Sequence, residues 1–301
     1  MTSILDARLI TAIKTPYDSQ GKIDFDAYDR HVATQINGGV QGLVVGGTTG
    51  EGHLMDWEEH LILIAHTVNY FGSQLQVIGN TGSNNTKEAV RATEEGFAVG
   101  MNAALQINPY YGKTSRAGLV AHFKAVLALG PALIYNVPGR TGQDLQPDLI
   151  QELAQHKHFV GVKECAGVDR IAQYEQAGIA CWSGNDDQAH DSRHKAGSHG
   201  VISVASNILP KTMASLMDDQ NGGLNQKLQD LLNWFFCEPN PIALNTLMPM
   251  LGYCRPVFRL PYVPLNAEAR LRGATLLEAA PILDKLPKLM VLNDNEFTFA
   301  P

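Results

Sequence analysis

Eight short, almost wholly apolar runs, spaced by amphipathic stretches, constrain this chain more than any other feature. They fall at residues 9–14, 42–46, 76–79, 103–107, 132–136, 160–163, 180–183 and 200–204. Strands that read as continuous apolar runs are buried on both faces, and alternation with helices makes the sheet parallel. The intervening residues 26–37, 57–70, 87–99 and 115–129 carry helical periodicity. Eight strand–helix units close into a barrel, so the expected fold is a (β/α)8 barrel of the TIM type. The competing architecture, an open doubly wound sheet, would place a glycine-rich phosphate turn after the first strand. Lys14-Thr15-Pro16-Tyr17 stands there instead.

The 301 residues allow two domains, but α/β barrels of this size are commonly one. The catalytic barrel is expected over residues 1–222 and a C-terminal helical region over 223–301. Within and after this boundary, 211–237 and 241–253 read as helices separated by Glu238-Pro239-Asn240-Pro241. Local signals mark other helix starts: Asn85-Thr86-Lys87-Glu88 offers an Asn variant of the capping box, and Pro147 and Pro210 suit first-turn positions.

A formal charge of −7 and the lack of any Lys/Arg run argue against nucleic-acid binding. No apolar run is long enough to span a membrane, and Met1 to Asp6 show no export signal. Cys165, Cys181, Cys237 and Cys254 form no CxxC and read as reduced thiols; Cys165 lies close enough to Lys163 to be a site of inactivation. His190, His194 and His199 lack partners for a metal ligand set, so no metal is expected.

In a βα barrel, polar residues at the carboxyl ends of strands read as catalytic. Here they recur: Thr48 and Thr49 after the second strand, Tyr110 and Tyr111 after the fourth, and Tyr135 and Arg140 around the end of the fifth. Lys163 ends the sixth, Gly184, Asn185 and Asp186 follow the seventh, and Ile202 and Ser203 lie in the eighth. Singly, each has a plain structural explanation, such as a snorkelling lysine or a tight glycine turn. Their joint placement at one mouth favours chemistry. Burial disfavours the ammonium form of Lys163, and a neutral amine attacks carbonyl carbon. Tyr135 is placed to move protons during imine formation, with Thr48 linking it to Tyr111 as a relay. Thr49 with neighbouring amides suits one carboxylate and the Arg140 fork a second. Two carboxylate sites beside one amine imply two acidic substrates or a dicarboxylic product.

These segments resemble the 4-hydroxy-tetrahydrodipicolinate synthase (dihydrodipicolinate synthase) family of pyruvate-dependent aldolases, over nearly the whole chain. The resemblance rests on Gly47-Thr48-Thr49-Gly50-Glu51, Asn108-Pro109-Tyr110-Tyr111, Tyr135 to Gly142, Gly161-Val162-Lys163-Glu164, Ser183-Gly184-Asn185-Asp186-Asp187 and Gly200-Val201-Ile202-Ser203. Gly50 to Met55 and Arg255 to Tyr262 look like the plant-type branch. The resemblance implies condensation of pyruvate with L-aspartate 4-semialdehyde, the first committed step of lysine synthesis. Lys163 would carry the pyruvate imine, with no other cofactor. Thr48, Tyr111 and Tyr135 would form the relay, Tyr111 reaching across a dimer interface. Thr49, Gly184 and Ile202 would contact pyruvate, and Arg140 the semialdehyde carboxylate. Gly139 stands where a serine is expected. His53, Trp57, His60, Asn84, Glu88 and Tyr110 match a site for feedback by L-lysine, and the assembly would be a homotetramer, a dimer of dimers. The expected location is the plastid stroma for a plant or algal mature form, otherwise the bacterial cytoplasm. Two other readings share parts of the set. A sister lyase acting on N-acetylneuraminate or a keto-deoxy sugar acid would keep Lys163, Tyr135 and the threonines, and a silent barrel sensing lysine or pyruvate would need no relay.

Overall fold

The computed structural model describes residues 3–220 and 222–301; Met1, Thr2 and Asn221, which fall in the expected N-terminal segment and in the expected 211–237 helix, lie outside them. Eight parallel strands close on themselves: β1 Leu9–Ala12, β2 Gly42–Val45, β3 Gln76–Asn80, β4 Ala103–Ile107, β5 Ala132–Asn136, β6 Phe159–Glu164, β7 Cys181–Ser183 and β8 Gly200–Ser203. The barrel is sealed by β1 pairing with β8, Ile10 opposite Ile202. All eight apolar runs are strands, with bounds moved by a residue or two. They are legible because both faces of each strand are buried. One face fills the interior with Ile10, Ala12, Val44, Ile78, Leu105, Leu133, Tyr135, Trp182 and Ile202. The other packs on the helices.

The helices are α1 Phe25–Asn37, α2 Trp57–Phe71, α3 Thr86–Ala98, α4 Arg116–Leu127, the short α5 Pro138–Thr141, α6 Pro147–Leu153, α7 Val168–Gln176, α8 Ala189–His194, α9 Pro210–Asp218, α10 Gly223–Trp234, α11 Ile242–Met250 and α12 Ala267–Ala279. Pro147 and Pro210 occupy first-turn positions, where a missing N–H costs nothing. Asn85 caps α3 as expected, accepting from the Lys87 N–H, but Glu88 does not reach back to close the box. Its carboxylate takes the Ser83 hydroxyl at 3.1 Å instead.

The C-terminal region departs from expectation in two places. The single helix expected over 211–237 is two, α9 and α10, because the chain leaves the helix at Asp219 with an extended backbone and Gly222 turns left-handed (φ +69°) ahead of α10. The region is also not purely helical. Strand β9, Val257–Arg259, pairs in parallel with β10, Thr298–Ala300. Between α12 and β10 the chain runs back over the barrel, where the Asp284 carboxylate caps α9 by accepting from the Lys211 and Thr212 N–H groups at 2.9 Å each. This tail therefore straps the appendage to the barrel. None of the α12-to-tail contacts has a helical or strand period to betray it in the sequence.

Candidate active site

Register builds the central pair of the candidate site. On adjacent strands Tyr135 lies opposite Lys163 and Asn136 opposite Glu164. Alternation sends the first pair to the barrel interior and the second outward. The outward pair is clamped. Asn136 Nδ2 donates to both Glu164 carboxylate oxygens at 2.9 and 3.1 Å and to Asp144 at 2.8 Å. Asp144 is held in turn by Arg170 at 2.9 Å. The Ala166 N–H also donates to Glu164, at 2.7 Å. These bonds fix β5 against β6 and hence the phenol against the amine: the Lys163 nitrogen sits 4.5 Å from the centre of the Tyr135 ring.

Lys163 is 7% exposed, and burial lowers its pKa, helped by the Arg140 charge and opposed by Cys165 and Asp186. A larger share of the amine is therefore neutral near neutral pH than for a free lysine. Burial drives the Tyr135 phenol well above its usual value, so it stays protonated and available as a proton donor. Asp186, 1% exposed, accepts the Val204 and Ala205 N–H groups at 2.9 Å, and burial raises its pKa.

Lys163 and Tyr135 line a cavity of about 220 Å³ together with Thr48, Thr49, Arg140, Gly184 and Asn240. Thr49 is buried, and its hydroxyl accepts from Asn240 Nδ2 at 3.0 Å. Arg140 is exposed and donates to the Asn240 carbonyl at 2.9 Å. Ile202 lies in β8, fully buried within the interior packing. Tyr111 is elsewhere: its side chain is 94% exposed, on a loop where it adopts a left-handed backbone (φ +69°). A bulky residue held there is strained. Among the described residues no hydrogen bond joins Thr48 to Tyr135 or to Tyr111, so one chain alone does not assemble the expected relay. Cys165 lines the same cavity as Tyr135 and Lys163.

An outer cleft of about 410 Å³ opens beside this cavity, and Gly47, Thr48 and Arg140 line both. Its other walls include His53, Trp57, His60, Glu88 and Tyr110. Trp57 stacks on His60 with ring centres 5.4 Å apart and planes 3° from parallel. Asn84 stands at the rim, donating to the Tyr110 carbonyl at 3.3 Å. The structure thus gathers the whole of this sequence set around one opening.

Sequence reasoning missed Asn240, Tyr262 and the Lys14–Glu51 pair. In the sequence Asn240 reads only as part of a helix break, and Tyr262, whose hydroxyl meets His53 at 2.9 Å, lies between β9 and α12. Lys14 and Glu51 form a fully buried ion pair behind the Thr48–Thr49 turn, where Glu51 is itself left-handed (φ +59°). A lysine ending an apolar run and a glutamate four residues past the Gly46-Gly47 pair were the available signals. Removing one partner strands the other charge in the interior. Glu51→Ala is expected to cost about 3–5 kcal/mol in urea unfolding, with part recovered in Lys14→Met/Glu51→Ala. A loss under about 1 kcal/mol would show that the pair adds no net stability.

The dihydrodipicolinate synthetase family model matches residues 6–280. The chain is 60% identical over 277 residues to 4-hydroxy-tetrahydrodipicolinate synthase 1, chloroplastic, of Triticum aestivum, covering 92% of this chain and 71% of that protein. It is 61% identical over 272 residues to the chloroplastic synthase of Glycine max, covering 90% and 82% respectively. Among solved structures, the chloride-inhibited dihydrodipicolinate synthase of Acinetobacter baumannii complexed with pyruvate matches at a TM-score of 0.87 and 34% identity, over 92% of this chain and 99% of that one. The Cyanidioschyzon merolae enzyme with lysine bound matches at 0.87 and 29% identity, over 93% and 100%. The matched span takes in the whole barrel and the buried Lys163 amine, and on that extent this chain belongs to the dihydrodipicolinate synthetase family.

Proposed function

We propose that the lyase activity of this family, 4-hydroxy-tetrahydrodipicolinate synthesis in the lysine pathway, runs in this chain through an imine between pyruvate and Lys163. The observation that carries the imine is the amine itself, desolvated and poised over the Tyr135 ring in a small polar cavity. The neutral amine attacks the pyruvate ketone carbon, and water leaves to give the protonated imine. Loss of a methyl proton gives an enamine, whose carbon attacks the aldehyde of L-aspartate 4-semialdehyde. The amine of that substrate then displaces Lys163 as the ring closes. Tyr135 is the proton donor and acceptor nearest the reacting nitrogen. Borohydride reduction in the presence of pyruvate should leave Lys163 alkylated, as read by peptide mass spectrometry; modification of any other lysine, or of none, would overturn the assignment.

Arg140, at the open side of the cavity, supplies the planar donor fork for the semialdehyde carboxylate. Arg140→Ala is expected to raise the KM for the semialdehyde about tenfold or more, the size of a charge-assisted pair, while the KM for pyruvate moves less than about threefold. Equal effects on both would remove the assignment.

The outer cleft is the proposed site of L-lysine. Glu88 and Asn84 suit its ammonium and α-amino groups, and the Trp57–His60 stack offers a face for the aliphatic stem. Glu88→Lys is expected to raise the inhibitory lysine concentration about tenfold or more, with uninhibited kcat within about twofold. Retained inhibition would place the site elsewhere. A lysine-bound relative of the same fold supports this reading. The exposed, strained Tyr111 fits delivery of the phenol into a partner's site, and so a homotetramer built as a dimer of dimers, with the catalytic barrel at 1–222 and the accessory region at 223–301. The wheat and soybean relatives are chloroplastic, which supports a plastid stroma for a plant or algal source and the cytoplasm for a bacterial one.

A further inference from the structure

Asn240 lies in the turn that joins α10 to α11 and lines the inner cavity together with Thr49, Arg140 and Lys163. It is 7% exposed. The turn is anchored on the accessory region, where the Pro239 carbonyl accepts the Ile242 N–H at 3.1 Å and the Pro241 carbonyl accepts the Asn245 N–H at 2.8 Å. From there one residue reaches both carboxylate sites assigned above. Its side-chain Nδ2 donates to the Thr49 hydroxyl at 3.0 Å, and its backbone carbonyl accepts from Arg140 Nη2 at 2.9 Å.

A hydroxyl carries a single proton. Because the Thr49 oxygen accepts from Asn240, that proton is not spent on the amide and can be donated to an anion in the cavity. Thr49 is itself held in place: it is buried, and the carbonyl of the next residue, Gly50, accepts from the Thr15 hydroxyl at 2.7 Å. Stability does not account for an asparagine here. Among the described residues nothing bonds to the buried Asn240 Oδ1, a cost that an apolar side chain of the same shape would avoid.

We propose that Asn240 is a positioning residue for pyruvate: its amide holds the Thr49 hydroxyl with the proton directed to the pyruvate carboxylate, while its backbone carbonyl steadies the Arg140 fork. The inference rests on the Lys163 imine proposed above and on the pyruvate contact of Thr49. The side chain serves one substrate and the main chain the other, so substitution at residue 240 should separate the two substrates in the sense opposite to Arg140→Ala.

The test is the steady-state KM for each substrate in the full chain, for the wild type, Asn240→Leu, Asn240→Ala, Thr49→Val and the Asn240→Leu/Thr49→Val double variant, with thermal midpoints alongside. Asn240→Leu should raise the pyruvate KM about five- to tenfold, the scale of one hydrogen bond, and move the semialdehyde KM less than about twofold. Its midpoint should stay at or above that of the wild type, since the unpaired oxygen is gone. Asn240→Ala should show the same split of KM values with a lower midpoint, and serves if the leucine variant does not fold. Thr49→Val should raise the pyruvate KM by itself, and adding Asn240→Leu to it should change that value less than about twofold, because both act through one bond. A wild-type pyruvate KM in any of these variants, an equal rise in both KM values at residue 240, or additive effects in the double variant would overturn the proposal. Failure of the wild-type chain to form a borohydride-trappable imine with pyruvate would instead sink the imine on which it rests.

Discussion

Lys163→Ala is expected to abolish borohydride trapping of pyruvate and to lower turnover of pyruvate with L-aspartate 4-semialdehyde by at least about a thousandfold. The size of the effect follows from the loss of a covalent intermediate rather than of a contact. Among the described residues no other lysine lines the cavity. Lys14 lies just past β1, but it is buried in an ion pair with Glu51 and does not line the cavity. The lowered pKa of Lys163 adds a pH signature. Pyruvate capture by the wild-type chain should rise with pH and level off well before the usual range of a lysine. Rapid trapping in the alanine variant, or a pH profile that climbs to the free-lysine range, would contradict the role given to this residue.

Acidification should unfold the protein through three buried histidines, none of which lines the inner cavity. His31, His60 and His122 are each 2–3% exposed, and burial lowers each pKa to about 4. His31 Nε2 donates to Asn207 Oδ1 at 2.9 Å, which offsets part of the effect of burial, and His122 Nδ1 meets the Thr86 hydroxyl at 2.9 Å. The unfolded chain binds a proton at each near pH 6.5 and the folded chain does not, so stability falls as pH drops from 6.5 toward 4. From pH 6.5 to 5.5 the three together should remove about 3 kcal/mol from the unfolding free energy. The raised pKa values of the buried Glu164 and Asp186 act in the opposite sense and offset part of the loss at the acid end. Urea unfolding at fixed protein concentration across this range gives the slope, and His122→Gln should reduce it by about one proton. A flat profile would show that these rings charge without unfolding.

The strands were easy to read because a parallel strand buried on both faces has no polar alternation to confuse it. The barrel mouth was readable for a related reason: residues such as Thr48, Tyr135 and Lys163 are polar groups ending apolar runs, and eight such ends share one opening. What sequence reasoning missed comes from contacts with no period. Asn240 reaches Thr49 across 191 residues and Arg259 reaches Glu59 across 200. The helix break near Gly222 does carry a signal, the polar run Asp218-Asp219-Gln220 and the pair Gly222-Gly223, which reading 211–237 as one helix passes over.

Gly47, Thr48 and Arg140 face both the inner cavity and the outer cleft, with no intervening layer. Thermodynamic linkage then works in both directions. Whatever factor an occupant of the cleft takes from affinity in the cavity, an occupant of the cavity takes back from affinity in the cleft. Saturating pyruvate should therefore shift the binding isotherm of an effector, in the absence of any turnover, by the same ratio that the effector shifts the isotherm of pyruvate. An enzyme wired this way reports its own substrate supply through the sensitivity of its brake.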